Sequence, residues 1–349
     1  MRIGVKSANN LIDPRLMFYE TNYDILPTPN FLDKTRLLKA EHGITYLGNR
    51  NKKECRFCGK RVPETTFRKI AHAFPESIGN KTLASYYECD SCNEKFGETI
   101  ENDYATFFQF YHSVSGIKGK DKIPKFKSKE CFIDSDGNKI PLFEMYWDND
   151  NGMQALKVIS NSKDAINAEK KTISFSQLVG KCCPIAVYKT LVKMAITVMP
   201  SIEVQYFSEA IRWILDENHE NIFEPFKLLV RYEFIPGFNV PKCPYFAVYR
   251  RKNTVWKYPY MLFHLTYGCF SLLIEIPRDN DSRDYSIETI PMPPIPFYAY
   301  ETCEWDLSEK KLKDGFEHSI QLSFDVIQDI TDKSTIFFEN GKRIIRTEA

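Results

Sequence analysis

The fold of this chain is decided by three pieces of sequence: CRFCGK at 55–60, AHAFPESIGNK at 71–81 and CDSCNEKFG at 89–97. Two Cys-x-x-Cys pairs open the first and last pieces: Cys55, Cys58, Cys89 and Cys92. Each pair supplies two thiolates from one tight turn, and four thiolates suit a tetrahedral zinc ion. The sequence therefore predicts one structural Zn²⁺ held by these four cysteines.

A single histidine, His72, lies between the two cysteine pairs, three residues before Pro75. An isolated histidine is ordinarily a satisfied core or surface residue. Its place between two zinc-binding turns favours a catalytic role instead, because a neutral imidazole can accept a proton from water at cellular pH. The sequence therefore nominates His72 as a general base.

Taken together, this stretch resembles the HNH endonucleases that carry a zinc-bound treble-clef frame. The resemblance covers roughly residues 55–111 and rests on these matches: Cys55-x-x-Cys58, Ala71-His72-x-x-Pro75, Gly79-Asn80-Lys81, Cys89-x-x-Cys92-Asn93 and Phe96-Gly97. It implies a unit of two strands and a helix, the ββα-metal unit, which holds one divalent metal ion beside a histidine.

The resemblance also implies roles for individual residues. His72 would deprotonate a water that attacks phosphorus, and Asn93 would offer its carbonyl oxygen to a single Mg²⁺ or Mn²⁺ ion. Asn80 is the nearest candidate to accept from the imidazole N–H and orient the ring. Two positions depart from the family pattern: Ala71 stands where many members have a metal-binding Asp, and Ala84 stands where the middle asparagine usually lies.

The spacing of apolar residues predicts a strand over 67–74 and a long helix that begins at Cys92. On that helix Asn93, Gly97 and Glu101 share one face, because they are four residues apart. Asn93 is the metal-ligand position of the resemblance. Glu101 lies two turns away from it, so we expect a structural or solvated carboxylate there.

A lysine-rich segment, IKGKDKIPKFKSK, follows the predicted helix. Its lysines nearly alternate, which places several on one side of an extended strand: Lys118, Lys120, Lys122, Lys125 and Lys127. Two interpretations stay open. The lysines either contact the phosphates of a nucleic acid or blunt a solvated edge strand.

Composition sets the class of protein. With 349 residues, 43% hydrophobic and 27% charged, the chain is an ordinary soluble protein of about two domains. Its net charge of +1 neither favours nor excludes nucleic acid, although residues 51–130 hold 15 Lys and Arg against 11 Asp and Glu. Ten cysteines without a signal peptide predict a reducing cytoplasmic location. No apolar run reaches the ~18 residues of a membrane span.

The chain divides into four predicted segments: an N-terminal arm (1–50), the HNH module (51–115), a basic strand connector (116–150) and a C-terminal domain (151–349). A short helix is predicted near 31–41, and two short strands with a turn at 136–138 are predicted before the polar residues 148–152, which mark the domain boundary. The fold class is α+β, a treble-clef zinc module joined to a larger α+β domain with a helical hairpin and an antiparallel sheet.

Within the C-terminal segment, the hairpin is predicted over 184–199 and 202–215, and strands follow at 226–235, 245–251, 258–267, 270–276 and 319–327. Val187, Ile196 and Trp213 lie off the main apolar stripes of the hairpin. They indicate either a helix buried between a sheet and another helix or the interface of a homodimer.

These observations favour a metal-dependent endonuclease that hydrolyses phosphodiester bonds in DNA, double-stranded rather than single-stranded. The resemblance adds bacterial defence against phage as a context. Two other classes remain open. One is a zinc-stabilised nucleic-acid-binding protein whose catalysis has decayed, which Ala71 makes credible. The other is a protein-interaction scaffold whose cysteines serve only folding.

Overall fold

The computed structural model of the chain describes residues 13–27, 43–114, 117–120, 124, 126–127, 132–133, 143–148, 152–158, 166–167, 169–170, 172–179, 181–234, 244–252, 257–268, 270–280, 287–294, 302–310, 317–323, 334–339 and 342–347. The helices in these residues are α1 (Pro14–Asn22), α2 (Asp90–Glu98), α3 (Ile100–Val114), α4 (Pro184–Val198), α5 (Ser201–Val204) and α6 (Ser208–Leu215). Short 3₁₀ turns lie at Glu76–Ile78 and Ile287–Thr289.

The strands, in chain order, are β1 (Tyr23–Ile25), β2 (Thr45–Leu47), β3 (Ala71–His72), β4 (Leu83–Ser85), β5 (Phe126–Lys127), β6 (Phe132–Ile133), β7 (Phe143–Asp148), β8 (Gly152–Val158), β9 (Ile166–Asn167), β10 (Thr172–Leu178), β11 (Leu229–Phe234), β12 (Tyr245–Arg251), β13 (Met261–Tyr267), β14 (Phe270–Glu275), β15 (Cys303–Asp306), β16 (Glu317–Ser323), β17 (Ser334–Glu339) and β18 (Lys342–Thr347). Helices and antiparallel sheets occur together, which confirms the α+β class.

A six-stranded antiparallel sheet forms the centre of the fold, in the order β1-β12-β13-β14-β11-β15. The smaller sheets have the orders β2-β4-β3, β5-β6-β7-β8, β16-β10-β9 and β17-β18. The strands of the central sheet are mostly apolar because both faces are covered: β13 and β14 are buried at every position.

Residues 13–25 of the predicted N-terminal arm pack against this sheet. Strand β1 pairs with β12, and the helix α1 before it buries Tyr19 against Tyr249 of β12. Helix α1 begins where Asp13 caps the nitrogen of Arg15, with Pro14 in the first turn. The helix predicted at 31–41 lies outside the described residues.

The zinc module and the C-terminal sheet share one hydrophobic core. Phe74, at the end of the histidine-bearing segment, packs its ring 4.9 Å from that of Phe246 on β12. Helix α3 lies against α4. The Arg56 guanidinium, between two of the cysteines, donates to the carbonyl oxygens of Ile196 and Met199 at 2.8 and 2.9 Å. The two predicted segments therefore fold onto each other.

The central helix α4 is buried on all sides, since each of its 15 residues is buried. Val187 and Ile196 are fully covered, and Trp213 on α6 is only 1% exposed, with its indole nitrogen donating to the carbonyl of Glu220. These three side chains left two interpretations open, a buried helix or a homodimer surface. They lie inside the protomer, so the buried-helix interpretation is correct for these three residues.

The long helix predicted from Cys92 is two helices, α2 and α3, and α2 already begins at Asp90. Thr99 separates them with φ −111° and ψ −96°. Its hydroxyl donates to the carbonyl of Lys95 at 2.6 Å, and Gly97 weakens the last turn of α2. The break means that Glu101 does not continue the helix face of Asn93.

Three other boundaries differ because long-range contacts override local spacing. The second hairpin helix is interrupted between α5 and α6, where the Asp279 carboxylate accepts from the nitrogens of Ser208 and Glu209. The predicted strand 67–74 is regular only at β3. Strands β7 and β8 pair antiparallel with Asp148 opposite Gly152, so one sheet runs across the predicted domain boundary.

The two short strands predicted before that boundary do not pair as a hairpin. Ile133 of β6 lies opposite Phe143 of β7 in a parallel pair. The turn predicted at 136–138 lies outside the described residues.

Within the described part of the chain, no helix is both long enough and apolar enough to cross a membrane.

Candidate functional site

Two backbone turns position the four cysteines. In the first, the nitrogen of Cys55 donates to the carbonyl of Lys60, and the nitrogen of Gly59 donates back to Cys55. Gly59 has φ +70°, a left-handed conformation that glycine adopts without a steric penalty. In the second, Cys89 is the N-cap of α2 and Cys92 lies in the first turn of that helix.

The four sulfur atoms converge to within 4.8 Å of one another. The Sγ atoms of Cys58 and Cys89 are 3.7 Å apart. A tetrahedral ion with Zn–S bonds of about 2.3 Å separates its sulfurs by about 3.8 Å, so the cluster has the size that zinc requires. The donor set, four thiols and no carboxylate, is that of a structural zinc site.

The unequal acidities of the thiols reflect this crowding. Hydrogen bonding from Cys92 lowers the pKa of Cys55 to about 5, whereas burial raises the pKa of Cys58 to about 11. One thiolate at a time is favoured among the bare thiols, because a second negative charge would lie within a few ångströms of it. A divalent cation removes that conflict and stabilises all four thiolates.

His72 lies on β3, opposite Ala84 of β4. Its Nε2 atom is 3.2 Å from the Oε1 atom of Glu76, and its Nδ1 atom is buried without a hydrogen-bond partner among the described residues. The side chain is 21% exposed. Glu76 thus holds one nitrogen of the ring, and the other is buried without a hydrogen-bond partner among the described residues.

The loop between β3 and β4 is closed by Asn80. Its Nδ2 donates to the carbonyl oxygens of Phe74 and Leu83, both at 2.9 Å, and its Oδ1 accepts from the Leu83 nitrogen at 3.0 Å. Asn80 is 1% exposed. Its hydrogen bonds therefore shape the loop, and none of them goes to the imidazole of His72, which is held by Glu76 instead.

The segment before His72 is fastened to α2, the helix of Asn93. The Asp90 carboxylate accepts from the hydroxyl of Thr66 at 2.5 Å and from the nitrogens of Arg68 and Lys69, both at 2.9 Å. These hydrogen bonds lower the pKa of Asp90, although burial acts to raise it. They bring the strand of the histidine and the helix of Asn93 together as neighbours.

Asn93 is half-buried on α2, one residue after Cys92. Its nitrogen donates to the Cys89 carbonyl at 2.9 Å, and its side chain has no hydrogen bond to any residue that the structure describes. The carbonyl oxygen of the side chain is therefore available to a hard cation, for which oxygen is the preferred ligand.

A buried ion cluster joins the module to α4. Lys193 of α4 places its Nζ 2.9 Å from both Glu88 and Glu101. Burial alone lowers the pKa of Lys193, but the two carboxylates outweigh burial and raise it. Burial raises the pKa of Glu88 to about 7. Glu101 is thus a structural carboxylate, as predicted.

The structure describes part of the predicted lysine surface. Lys118 and Lys120 are exposed, and the Lys120 carbonyl accepts from the Nζ atom of Lys81 at 3.4 Å. Lys127 is placed on β5, where the backbone alone is described. Lys122 and Lys125 lie outside the described residues.

Sequence reasoning missed Glu76, Asp90 and Lys193. The spacing of Glu76, four residues after His72, was a usable signal, because a short helical turn after Pro75 brings such residues together. The contacts of Asp90 and Lys193 span 21 to 105 positions along the chain. No local pattern indicates them.

The geometry defines a class of protein module: two short strands and a helix beside one histidine, together with a cluster of four cysteines that could hold a zinc ion. Residues 55–108 match the family model described as HNH endonuclease. The match confirms the resemblance and indicates nuclease activity on nucleic acid. No curated protein and no solved structure matches the chain.

Proposed function

We propose that the protein is a metal-dependent endonuclease that hydrolyses phosphodiester bonds in DNA, with His72 as the general base. One observation carries the proposal: within the segment that matches the HNH family, the Nε2 atom of His72 lies 3.2 Å from the carboxylate of Glu76. The buried, unpartnered Nδ1 does not by itself distinguish His72, because His219 and His264 share that feature.

The tautomer follows from the contact with Glu76. A carboxylate accepts hydrogen bonds, so Nε2 carries the proton and donates it to Oε1 of Glu76. The lone pair is then on Nδ1, which takes the proton of an attacking water. The carboxylate also stabilises the imidazolium that forms, as a partner of a catalytic histidine does.

Asn93 would hold the divalent ion through its side-chain oxygen. When bound, Mg²⁺ or Mn²⁺ supplies Lewis-acid stabilisation of the phosphate and the leaving oxygen. Asn80 acts at a distance, since it holds the loop that carries Glu76. The zinc bound by the four cysteines keeps the turn and the start of α2 in place and takes no part in the reaction.

The choice of double-stranded DNA and the defence context rest on the family resemblance. Ala71 supports the alternative, a nucleic-acid-binding protein without catalysis. It is 2% exposed and precedes His72 directly, so this position offers no carboxylate to a metal. Such a protein would bind DNA and leave it intact.

Supercoiled plasmid incubated with Mg²⁺, Mn²⁺ or EDTA tests the proposal. The wild-type protein should nick or linearise plasmid with a divalent ion, and His72→Asn should lose about 10²–10⁴-fold in rate, the usual contribution of a general base. His219→Asn is the matched control, because His219 is also half-buried and asparagine tolerates its φ of 49°. Equal activity of the two variants would refute the mechanism.

Glu76→Gln provides a second arm of the same assay. An amide keeps the size of the side chain and removes the negative charge beside Nε2. We therefore expect a lower rate at unchanged DNA affinity. An unchanged rate would remove Glu76 from the mechanism and leave His72 in it.

A further inference from the structure

A pair of stacked tyrosines lies on the same sheet face as His72. His72 is opposite Ala84, and Ala84 is opposite Tyr46 on the edge strand β2. Residues directly opposite in neighbouring strands project from the same face of a sheet. Two strand spacings separate Tyr46 from His72, which places their Cα atoms about 10 Å apart.

The two tyrosine rings form a preassembled platform. The Tyr46 ring stacks on that of Tyr86 with centroids 4.5 Å apart and planes inclined by 13°. The Nζ atom of Lys53 lies 5.3 Å from the Tyr86 centroid and donates to the Phe67 carbonyl at 3.2 Å. A 4.5 Å stack leaves no room for an ammonium between the rings, so Lys53 covers the far face of Tyr86.

The outer ring of this stack faces solvent. Tyr46 is 36% exposed, and its ring contact within the described residues is the stack with Tyr86. A planar aromatic face open to solvent is the arrangement that proteins use to hold unpaired nucleobases, because the ring stacks on the base. Tyr46 precedes the matched residues 55–108, so this feature does not come from the family match.

We propose that the Tyr46–Tyr86 pair stacks one unpaired nucleobase of the substrate, close to the phosphate that His72 attacks. This proposal rests on the proposed function and narrows its substrate class. In a paired duplex the neighbouring base pairs cover both faces of each base. The site therefore selects DNA in which a base is unpaired or extruded near the cut.

The experiment uses the full chain carrying His72→Asn, so that binding is measured without cleavage. The probes are a short duplex with a central unpaired bubble and its fully paired counterpart, each with 2-aminopurine at the same position. Fluorescence anisotropy gives the affinity, and quenching of 2-aminopurine reports stacking on an aromatic ring. We expect tighter binding of the bubble, with quenching in the bubble alone.

Adding Tyr46→Ala to the His72→Asn protein should abolish the quenching of 2-aminopurine. It should also weaken the affinity for the bubble duplex about five- to 150-fold, the range for loss of one base–aromatic stack. Tyr46→Phe should restore both, because the ring is kept. Tyr245→Ala is the control, because Tyr245 is an exposed tyrosine (44%) away from the site. The next residue, Phe246, contacts Phe74 of the module, and successive residues of a strand point to opposite faces. Tyr245 therefore projects from the face of the central sheet that is turned away from the module.

Unchanged bubble binding by Tyr46→Ala, equal binding of the paired duplex, or an equal loss with Tyr245→Ala would overturn the stacking proposal. Plasmid cleavage by the wild-type protein tests the nuclease proposal separately. A protein that never cuts but shows the Tyr46 effect keeps the stacking site and loses the nuclease function. Comparing the affinities of unpaired DNA and RNA strands of one sequence shows whether the sugar contributes to binding.

Discussion

Replacing Lys193 by methionine should destabilise the whole protein, because Lys193 is the shared partner of two carboxylates. Its side chain and that of Glu88 are each 1% exposed, while Glu101 is 20% exposed. Methionine fills the space of the lysine stem but supplies no charge. Glu88 would then be a buried carboxylate without a counter-ion, beside the zinc turn that begins at Cys89.

The magnitude follows from this burial. Removing one partner of a buried ion pair costs about 3–5 kcal/mol, since the remaining charge is left uncompensated. An unfolding entropy of roughly 2.1 cal/mol/K per residue gives about 0.7 kcal/mol/K for a chain of this length. The midpoint of thermal unfolding should therefore fall by about 4–7 °C.

Differential scanning calorimetry with metal analysis measures both the stability and the zinc content of Lys193→Met. The matched control is Lys95→Met, which breaks a 2.8 Å ion pair with Glu217 at the protein surface and should hardly move the midpoint. Adding Glu88→Met to Lys193→Met should recover part of the loss, because Glu101 can reach water. A midpoint for Lys193→Met equal to that of Lys95→Met would refute the reasoning.

Two further predictions concern zinc and acid. Metal analysis should find one zinc ion in each chain. The double variant Cys89→Ser/Cys92→Ser should lose this ion and unfold the module, since structural zinc contributes ~10 kcal/mol or more in small zinc fingers. A double variant that melts like the wild-type protein would contradict this prediction. Burial lowers the pKa of His264 to about 3, so below about pH 6.5 the unfolded state takes up a proton that the folded state does not. This histidine should therefore lower the free energy of unfolding by about 1.4 kcal/mol for each pH unit between pH 6.5 and 3. The pH dependence of urea unfolding should be correspondingly weaker in His264→Gln, and identical slopes would contradict the assignment.

Those parts of the fold that depend on short-range chemistry were predictable from the sequence. Four cysteines in two tight turns have few alternatives to a common metal site, and the structure brings all four together. Strand β12 occupies the predicted residues 245–251, because a sheet covered on both faces gives a nearly continuous apolar run that is visible in the sequence. Helix α4 likewise begins at the predicted Pro184.

The remaining features depend on partners far away in the chain, which local spacing does not reveal. The gap between α5 and α6 follows from Asp279, some seventy positions beyond the start of α6. The strand of His72 is short because Asp90 takes the backbone nitrogens of Arg68 and Lys69. At the site, Asn80 was expected to orient the imidazole, but its side chain makes its hydrogen bonds within the loop. The residue that contacts the imidazole of His72 is Glu76.

The contact of Arg56 with the end of α4 has a consequence for how the matched segment can be inherited. A domain that is exchanged between proteins needs packing contacts of its own, but here the rest of the chain supplies them. Arg56 is anchored on the carbonyl oxygens of Ile196 and Met199 at the end of α4, and Phe74, two residues after His72, packs against Phe246 of the central sheet. The matched segment and the larger part of the chain are therefore expected to be gained, lost and mutated as a single unit.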